Sequence, residues 1–292
     1  MDILVTGAGG QLGRACVDAF TAAGCAVAGV DLADGDLADD GAAAALLARH
    51  APRRVVNCAA YTAVDRAETE REAAERGNAL AVARLAAACA DAGAALTHIS
   101  TDYVFRGDHA DGYRESDPRD PVSWYGVTKA RGEEAVERLT VPWQIVRTSW
   151  LFGHGPANFV LTMRRLLRER ERLTVVDDQR GCPTYAEDLA DLLVRLDVAG
   201  AEGIFHGTNS GQTTWFGLAR EVAHLSGAAP ERIVPCTTAD YPTPARRPAC
   251  SVLHETRLAG LGLQPLPHWS DAVARYVAWL DRNEERDEHD RP

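Results

Sequence analysis

Short β-branched runs alternate with alanine-rich stretches of helical character through the first half of the chain. Ile3-Leu4-Val5 predicts a buried strand that breaks at Gly7-Ala8-Gly9-Gly10. A helix is predicted over Gln11–Ala23, a strand over Val27–Val30 ending at Asp31, and a helix over Ala42–His50. Arg54–Asn57 is the third predicted strand, Ala73–Asp91 a long helix and Leu96–Ser100 the fourth strand. Tyr125–Leu139 then predicts a helix, and Trp143–Arg147 returns to a strand. Strands alternating with helices of this length form β-α-β units. The expected fold is therefore α/β, a doubly wound parallel sheet of the Rossmann type spanning residues 1–150.

Beyond Trp150 the rhythm loosens, and longer loops such as Thr237–Arg247 appear. Residues 151–292 are expected to be mainly a smaller C-terminal α/β lobe, with segments near 174–200, including Glu187–Leu196, returning to the main sheet. The basic stretch Met163–Leu173 is amphipathic, and its apolar side is expected to pack on that lobe. Asp281–Pro292 carries six acids and three arginines, so a solvated tail, frayed over about 283–292, is expected. No internal repeat is visible.

Composition narrows the function classes. Hydrophobic residues make up 46% and charged residues 25%, the balance of a globular chain rather than a disordered one. Lys and Arg total 31 against 42 Asp and Glu, a formal charge of −11, which repels phosphate backbones and anionic lipid. Neither nucleic acid nor membrane is expected as a partner, and no apolar run approaches the roughly 20 residues of a membrane span. The seven cysteines are scattered without a C-x-x-C pair, the pattern of thiols in a reducing cytoplasm rather than of a zinc site or disulfide framework.

Gly7, Gly10 and Gly13 lie between the first strand and the first helix, where glycines let backbone approach a pyrophosphate facing the helix N-terminus. The spacing differs from G-x-G-x-x-G, and its position after an N-terminal strand gives it weight. Asp31, at the end of the second strand, is placed to bond an adenosine ribose. Its charge favours NADH over NADPH, and Arg14 is the nearby candidate for a 2′-phosphate; the choice stays open with a lean to NADH. Tyr125 and Lys129 share a helix face at i and i+4, so the ammonium can lower the phenol pKa and make Tyr125 a proton donor. Ser100-Thr101-Asp102-Tyr103-Val104-Phe105 follows the fourth strand, at the sheet end where α/β proteins bind ligands. A hydroxyl there can bond a carbonyl oxygen beside the tyrosine.

With these residues in this order, the chain resembles the extended short-chain dehydrogenase/reductases, and among them the dTDP-4-dehydrorhamnose reductase family. The marks are Ala59-Ala60-Tyr61-Thr62-Ala63-Val64-Asp65, Ser100–Phe105, Tyr125–Lys129, Arg147-Thr148-Ser149-Trp150, Asn158-Phe159, Asp178–Thr184 and Ala245-Arg246-Arg247-Pro248. The resemblance covers nearly the whole chain. It implies that Gly10, Gln11 and Leu12 line the pyrophosphate together with Gly7 and Gly13. Asp31 would hold the ribose, Asp36 and Leu37 would sit near the adenine, and Ala60, Tyr61, Thr62 and Ile99 would flank the rest of the cofactor. Tyr125 would be the catalytic acid, Lys129 would contact the nicotinamide ribose and tune Tyr125, and Thr101 would take a place often held by Ser. Thr101, Asp102, Tyr103, Trp150, Asn158, Arg246 and Arg247 would contact the sugar nucleotide. Ile99, where some relatives carry an aromatic residue, and Cys182 are modest departures.

The expected activity is NADPH- or NADH-dependent reduction of a dTDP-4-keto-6-deoxy sugar, with dTDP-4-dehydro-L-rhamnose as substrate. A sister reductase of antibiotic sugar assembly, of the dihydrostreptose synthase type, shares all of these motifs. A non-catalytic relative, like the regulatory β subunit of methionine adenosyltransferase, is opposed by the intact Tyr125, Lys129 and Thr101. Arg246 and Arg247, fenced by prolines, suit a nucleotide diphosphate on chemical grounds, guanidinium forks matching phosphate oxygens. His98 is expected to be a packed core histidine; no H-E-x-x-H or G-x-S-x-G occurs, and no metal is expected. A homodimer stays open, with no residue set marking its interface.

Overall fold

Six parallel strands form the centre of the computed structural model, which describes residues 1–155 and 158–289. They are β1 (Ile3–Thr6), β2 (Val27–Val30), β3 (Arg54–Asn57), β4 (Ala95–Thr101), β5 (Trp143–Thr148) and a sixth, Gly203–His206. Their order across the sheet is β2-β1-β3-β4-β5-(203–206). The direction of winding reverses between β1 and β3, which opens a crevice at the carboxyl ends of those strands. The linking helices are α1 (Gln11–Ala22), α2 (Ala42–His50), the short α3 (Val64–Ala67) and α4 (Arg71–Glu75), α5 (Ala81–Ala92) and α6 (Trp124–Val136).

Successive strand residues point to opposite faces, and both faces here are apolar. Ile3, Val5, Val56 and Val146 join one core, with α1 packed on it; Leu4, Val55, Leu96 and Ile145 join the other, under α2 and α5. The later helices are α7 (Phe159–Glu169), α8 (Ala186–Val198), α9 (Trp215–Leu225) and α10 (Trp269–His289). α8 lies against α1, where Leu189, Leu192, Leu193 and Leu196 complete the first core. A third core unites α7, α9 and α10 with the parallel strands Leu173–Val176 and Ile233–Cys236.

The segment near 174–200 divides: Glu187–Leu196, within α8, packs into the first core of the main sheet, whereas Leu173–Val176 pairs with Ile233–Cys236 away from it, and the sixth strand, Gly203–His206, comes from beyond the segment. The predicted helix Ala73–Asp91 starts at Arg71 and widens into a π turn over Arg76–Leu80. That turn carries Asn78, whose buried side chain accepts from Tyr61 N (2.9 Å) and donates to Tyr61 O (3.0 Å) and Thr128 Oγ1 (3.1 Å). The residues from 283 to 289 of the expected tail belong to α10, which runs to His289. Arg164, buried on α7, pairs with Asp281 (2.6 Å) and Glu284 (3.3 Å), so part of the acidic stretch is an anchor. Residues 290–292 of the expected tail lie outside the described residues. Among the described residues no helix is long and apolar enough to cross a membrane.

α6 carries the polar residues that matter most and is itself held by charge. Ser123 caps its N-terminus by accepting from Gly126 N (3.2 Å). Glu133, with no exposed surface, accepts from Arg147 Nε (2.9 Å) and Nη2 (2.7 Å) on β5 and from Arg119 Nη1 (3.1 Å). Burial alone would raise the Glu133 pKa, but the bonds from Arg147 and Arg119 bring it below its ordinary value. The pair's contribution to stability is therefore complete above the unfolded value near 4.5 and is lost as acid protonates the folded carboxylate. Arg147→Met should destabilise the fold by about 3–5 kcal/mol, because it leaves a buried carboxylate without its main partner. Urea denaturation near neutral pH measures this, and the difference between the two proteins should shrink in acid.

Candidate active site

The carboxyl ends of the strands open into a cleft of about 800 Å³, lined from the Gly7 loop at one end to Trp150 at the other. Gly7 has φ +68°, and a Cβ there would lie 2.7 Å from Ala59 N; one on Gly13 would lie 2.1 Å from Gly7 O. Only glycines let this loop press against both the helix and the end of β3. α1 begins at Gly10 without a side-chain cap, so its first N–H groups are left for whatever the cleft holds. This cradle fits a pyrophosphate.

The rest of the dinucleotide end is lined by Asp31, Asp36, Leu37, Ala60, Tyr61 and Thr62. Asp31 Oδ2 accepts from Gly9 N (2.8 Å) and Oδ1 from Leu32 N (2.9 Å), so the carboxylate is fixed against the glycine loop. Arg14 does not line the cleft; its Nε donates to Gly9 O (2.9 Å). The cation at this end is Arg76, brought from the π turn and paired with Asp36 (2.9 Å) and Asp39. It stands far from Asp31 in the chain and reaches the site through helix packing.

At the other end Ile99, Thr101, Asp102 and Tyr103 come from β4 and the turn after it, and Tyr125 and Lys129 from α6. α6 approaches closely because residue 126 is glycine: a Cβ there would lie 2.2 Å from Tyr103 O. Tyr125 meets the Tyr103 ring edge-on, with centroids 5.4 Å apart. Burial, reinforced by the nearby Asp102 and Tyr103, holds the Tyr125 phenol above its ordinary pKa, and a hydrogen bond with Thr101 opposes the rise. The lowering expected from Lys129 is not among the causes of this shift, of which burial is the largest. Burial lowers Lys129 to about 8 against the opposing pull of Glu133 and Cys58, and its Nζ donates to Ile99 O (2.7 Å). Asp102 is pushed up to about 6 by burial; its Oδ1 accepts from Thr101 Oγ1 (2.8 Å) and its Oδ2 is buried without a partner among the described residues.

Trp150 closes this end in a left-handed backbone conformation, φ +48°, which a bulky residue adopts only when its surroundings demand it. Its ring stacks on Trp215 (3.6 Å between centroids, 10° between planes), whose Nε1 donates to Gln179 Oε1 (3.2 Å). A Cβ on Gly181 would lie 2.4 Å from the Trp150 indole, so the glycine is what lets the ring lie there. The Asp178–Thr184 motif thus supplies both the support for Trp215 and the space for Trp150.

Three residues expected to contact the sugar nucleotide stand outside the cleft lining. Asn158 caps α7 by accepting from Leu161 N (3.0 Å) and donates to Gln11 Oε1, Gly153 O and Tyr276 Oη, a bridging role. Arg246 is exposed. Arg247 pairs with Asp65 (2.7 Å) on α3 and lies against Tyr103, one side chain behind the cleft wall. The proline-fenced loop folds onto α3 because Asp65 accepts both from Arg247 and from Ala245 N (3.2 Å).

The family model described as RmlD substrate binding domain matches residues 1–282. The chain belongs to this family. It is similar to a dTDP-4-dehydrorhamnose reductase of Streptomyces griseus, 45% identical over 276 residues, covering 92% of this chain and 91% of the relative. A crystal structure of a dTDP-4-dehydrorhamnose reductase from Clostridium acetobutylicum superposes with TM-score 0.92 at 38% identity, covering 96% of this chain and 100% of that one. Another, from Bacillus anthracis in complex with NADP, has TM-score 0.92 at 35% identity and covers 95% of this chain and 99% of that one. The RmlD-type chain therefore keeps its whole fold, second lobe included, in common with these reductases.

Gly181→Ala should force Trp150 off Trp215 and lower stability by about 1–3 kcal/mol, the usual cost of overpacking. Near-ultraviolet circular dichroism reads the lost stacking, and dinucleotide binding at the glycine loop should be unchanged.

Proposed function

We propose that the protein reduces the C4 keto group of dTDP-4-dehydro-L-rhamnose to give dTDP-L-rhamnose, using NADPH or NADH. The observation that carries this reading is one cleft with a glycine cradle and uncapped helix at one end and Thr101, Tyr125 and Lys129 at the other. A dihydronicotinamide bound there supplies the hydride. The phenol of Tyr125, held protonated by burial, gives its proton to the C4 oxygen as negative charge develops, and the alcohol product keeps it. Thr101, whose hydroxyl donates to Asp102 Oδ1 in this structure, can turn that proton to the same oxygen when the keto sugar is bound. Lys129 adds positive charge beside the centre, and the stacked Trp150 offers a flat wall to the nucleotide sugar. The same reading places the enzyme in the cytoplasm, a reducing milieu suited to a chain whose seven cysteines are thiols.

A second product stands beside the first. The relatives include a dTDP-4-keto-6-deoxy-D-glucose reductase of Streptomyces niveus at 40% identity and a probable dTDP-4,6-dihydroxy-2-methyloxan-3-one 4-ketoreductase of Streptomyces antibioticus at 44%. Sister reductases of other 4-keto sugars thus share the family at similar identity, and NMR of the product separates the two readings.

Tyr125→Phe should lower kcat by about 10²–10⁴-fold, the usual worth of a general acid, in an assay of cofactor oxidation with the keto sugar. An undiminished rate would remove Tyr125 from the mechanism. Arg76, beside Asp36 in the cleft, is positioned to meet a 2′-phosphate. Arg76→Leu should lower kcat/KM with NADPH about tenfold relative to NADH, as expected for one charge-assisted hydrogen bond; an unchanged ratio would rule that role out.

A further inference from the structure

Thr6, Asn57 and His98 are register partners on β1, β3 and β4, so a row of polar side chains crosses the sheet just below the cleft. Two residues earlier the same strands carry Leu4, Val55 and Leu96, all buried in one apolar core. The change from apolar to polar comes where α6 lays Lys129 on this face. None of the three polar residues is more than 2% exposed. Thr6 Oγ1 donates to Asn57 Oδ1 (2.6 Å), Asn57 Nδ2 lies 3.0 Å from His98 Nδ1, and His98 Nε2 lies 3.5 Å from Lys129 Nζ.

The row has a direction. With its oxygen facing the Thr6 hydroxyl, the Asn57 amide presents its nitrogen to His98, and that nitrogen can only donate. His98 Nδ1 therefore accepts, and the ring proton sits on Nε2, the nitrogen that faces Lys129. An N–H opposite an ammonium makes no hydrogen bond, so Nζ turns its hydrogens to Ile99 O (2.7 Å) and to the cleft. Once Lys129 is deprotonated, the same N–H can donate to the amine. We propose that His98, locked in its Nε2–H tautomer by Asn57, is a positioning residue that turns the Lys129 ammonium toward the cleft and sets the pH at which it loses its proton.

The surroundings agree. Tyr125 and Glu133 flank Lys129 on α6, His98 faces it from β4, and Cys58 lies just past β3. Glu133, the carboxylate among them, is already bonded to Arg147 and Arg119. Burial, with a further push from Lys129, holds His98 well below its ordinary range, so the ring is neutral wherever the enzyme works.

The inference rests on the reductase reading for its kinetic consequence only, and two measurements keep the two apart. In the wild-type protein with ¹⁵N-labelled histidine, the His98 signal, assigned by its loss in His98→Gln, should show a neutral Nε2–H ring across the working pH range. An imidazolium or an Nδ1–H ring overturns the proposal whether or not the protein turns over a keto sugar. In Asn57→Asp the new carboxylate takes the Nδ1 proton, making Nε2 an acceptor for the ammonium. The Lys129 titration, read from its ¹³Cε resonance, and the alkaline limb of kcat should then both rise by about one pH unit, with KM for the keto sugar little changed. A folded Asn57→Asp protein in which neither moves overturns the proposal. Should wild type consume no cofactor with any keto-sugar nucleotide, the reductase reading falls while both NMR tests stand.

Discussion

The buried pair between Glu133 and Arg147 ties α6, the helix of Tyr125 and Lys129, to the sheet. α6 is an unusual helix to bury, because the face it turns inward carries Thr128, Lys129 and Glu133 beside a few small apolar residues. Such a face gains little from the hydrophobic effect. It needs partners that match it in charge and hydrogen bonding, and Arg147 on β5, Arg119 before the helix and Asn78 on the π turn provide them. Each contact also fixes the position of Tyr125, two turns before Glu133, and of Lys129, one turn before it. The energetic problem of burying this helix and the geometric problem of placing the phenol have one solution.

The cleft is shaped as much by missing atoms as by present ones. Glycines at 7 and 13 let the phosphate loop close on α1 and β3, and Gly181 makes room for an indole held in a left-handed conformation. The electrostatics are equally local. In a chain of charge −11, the cations at the cleft are single and held, Arg76 by Asp36 and Asp39 and Lys129 by Ile99 O. An anionic dinucleotide meets a few fixed donors rather than a broad positive surface.

How far the sequence could be read depends on how local each signal was. β1 to β5 and α1, α2 and α6 follow from periods of two and about 3.6 in apolar positions, and they appear within a few residues of their predicted bounds. The π turn was invisible because its cause, the clamp of Asn78 on Tyr61 and Thr128, joins residues far apart in the chain. Composition made 281–292 look like a solvated tail, yet Arg164, over a hundred residues earlier, holds Asp281 and Glu284.

The site divides the same way. By themselves the residues determined the βαβ order, the glycine loop with Asp31, the Tyr-x-x-x-Lys face and the hydroxyl at the end of β4, because each is a relation between neighbours on one element or at one strand end. Only the tertiary structure decided that Arg76 rather than Arg14 supplies the cation beside Asp36. It also decided that Asn158 bridges outside the cleft lining, that Arg247 stands behind Tyr103 on Asp65, and that burial carries the Tyr125 pKa upward. Pairing partners and desolvation are properties of how elements pack, and no spacing along a chain encodes them.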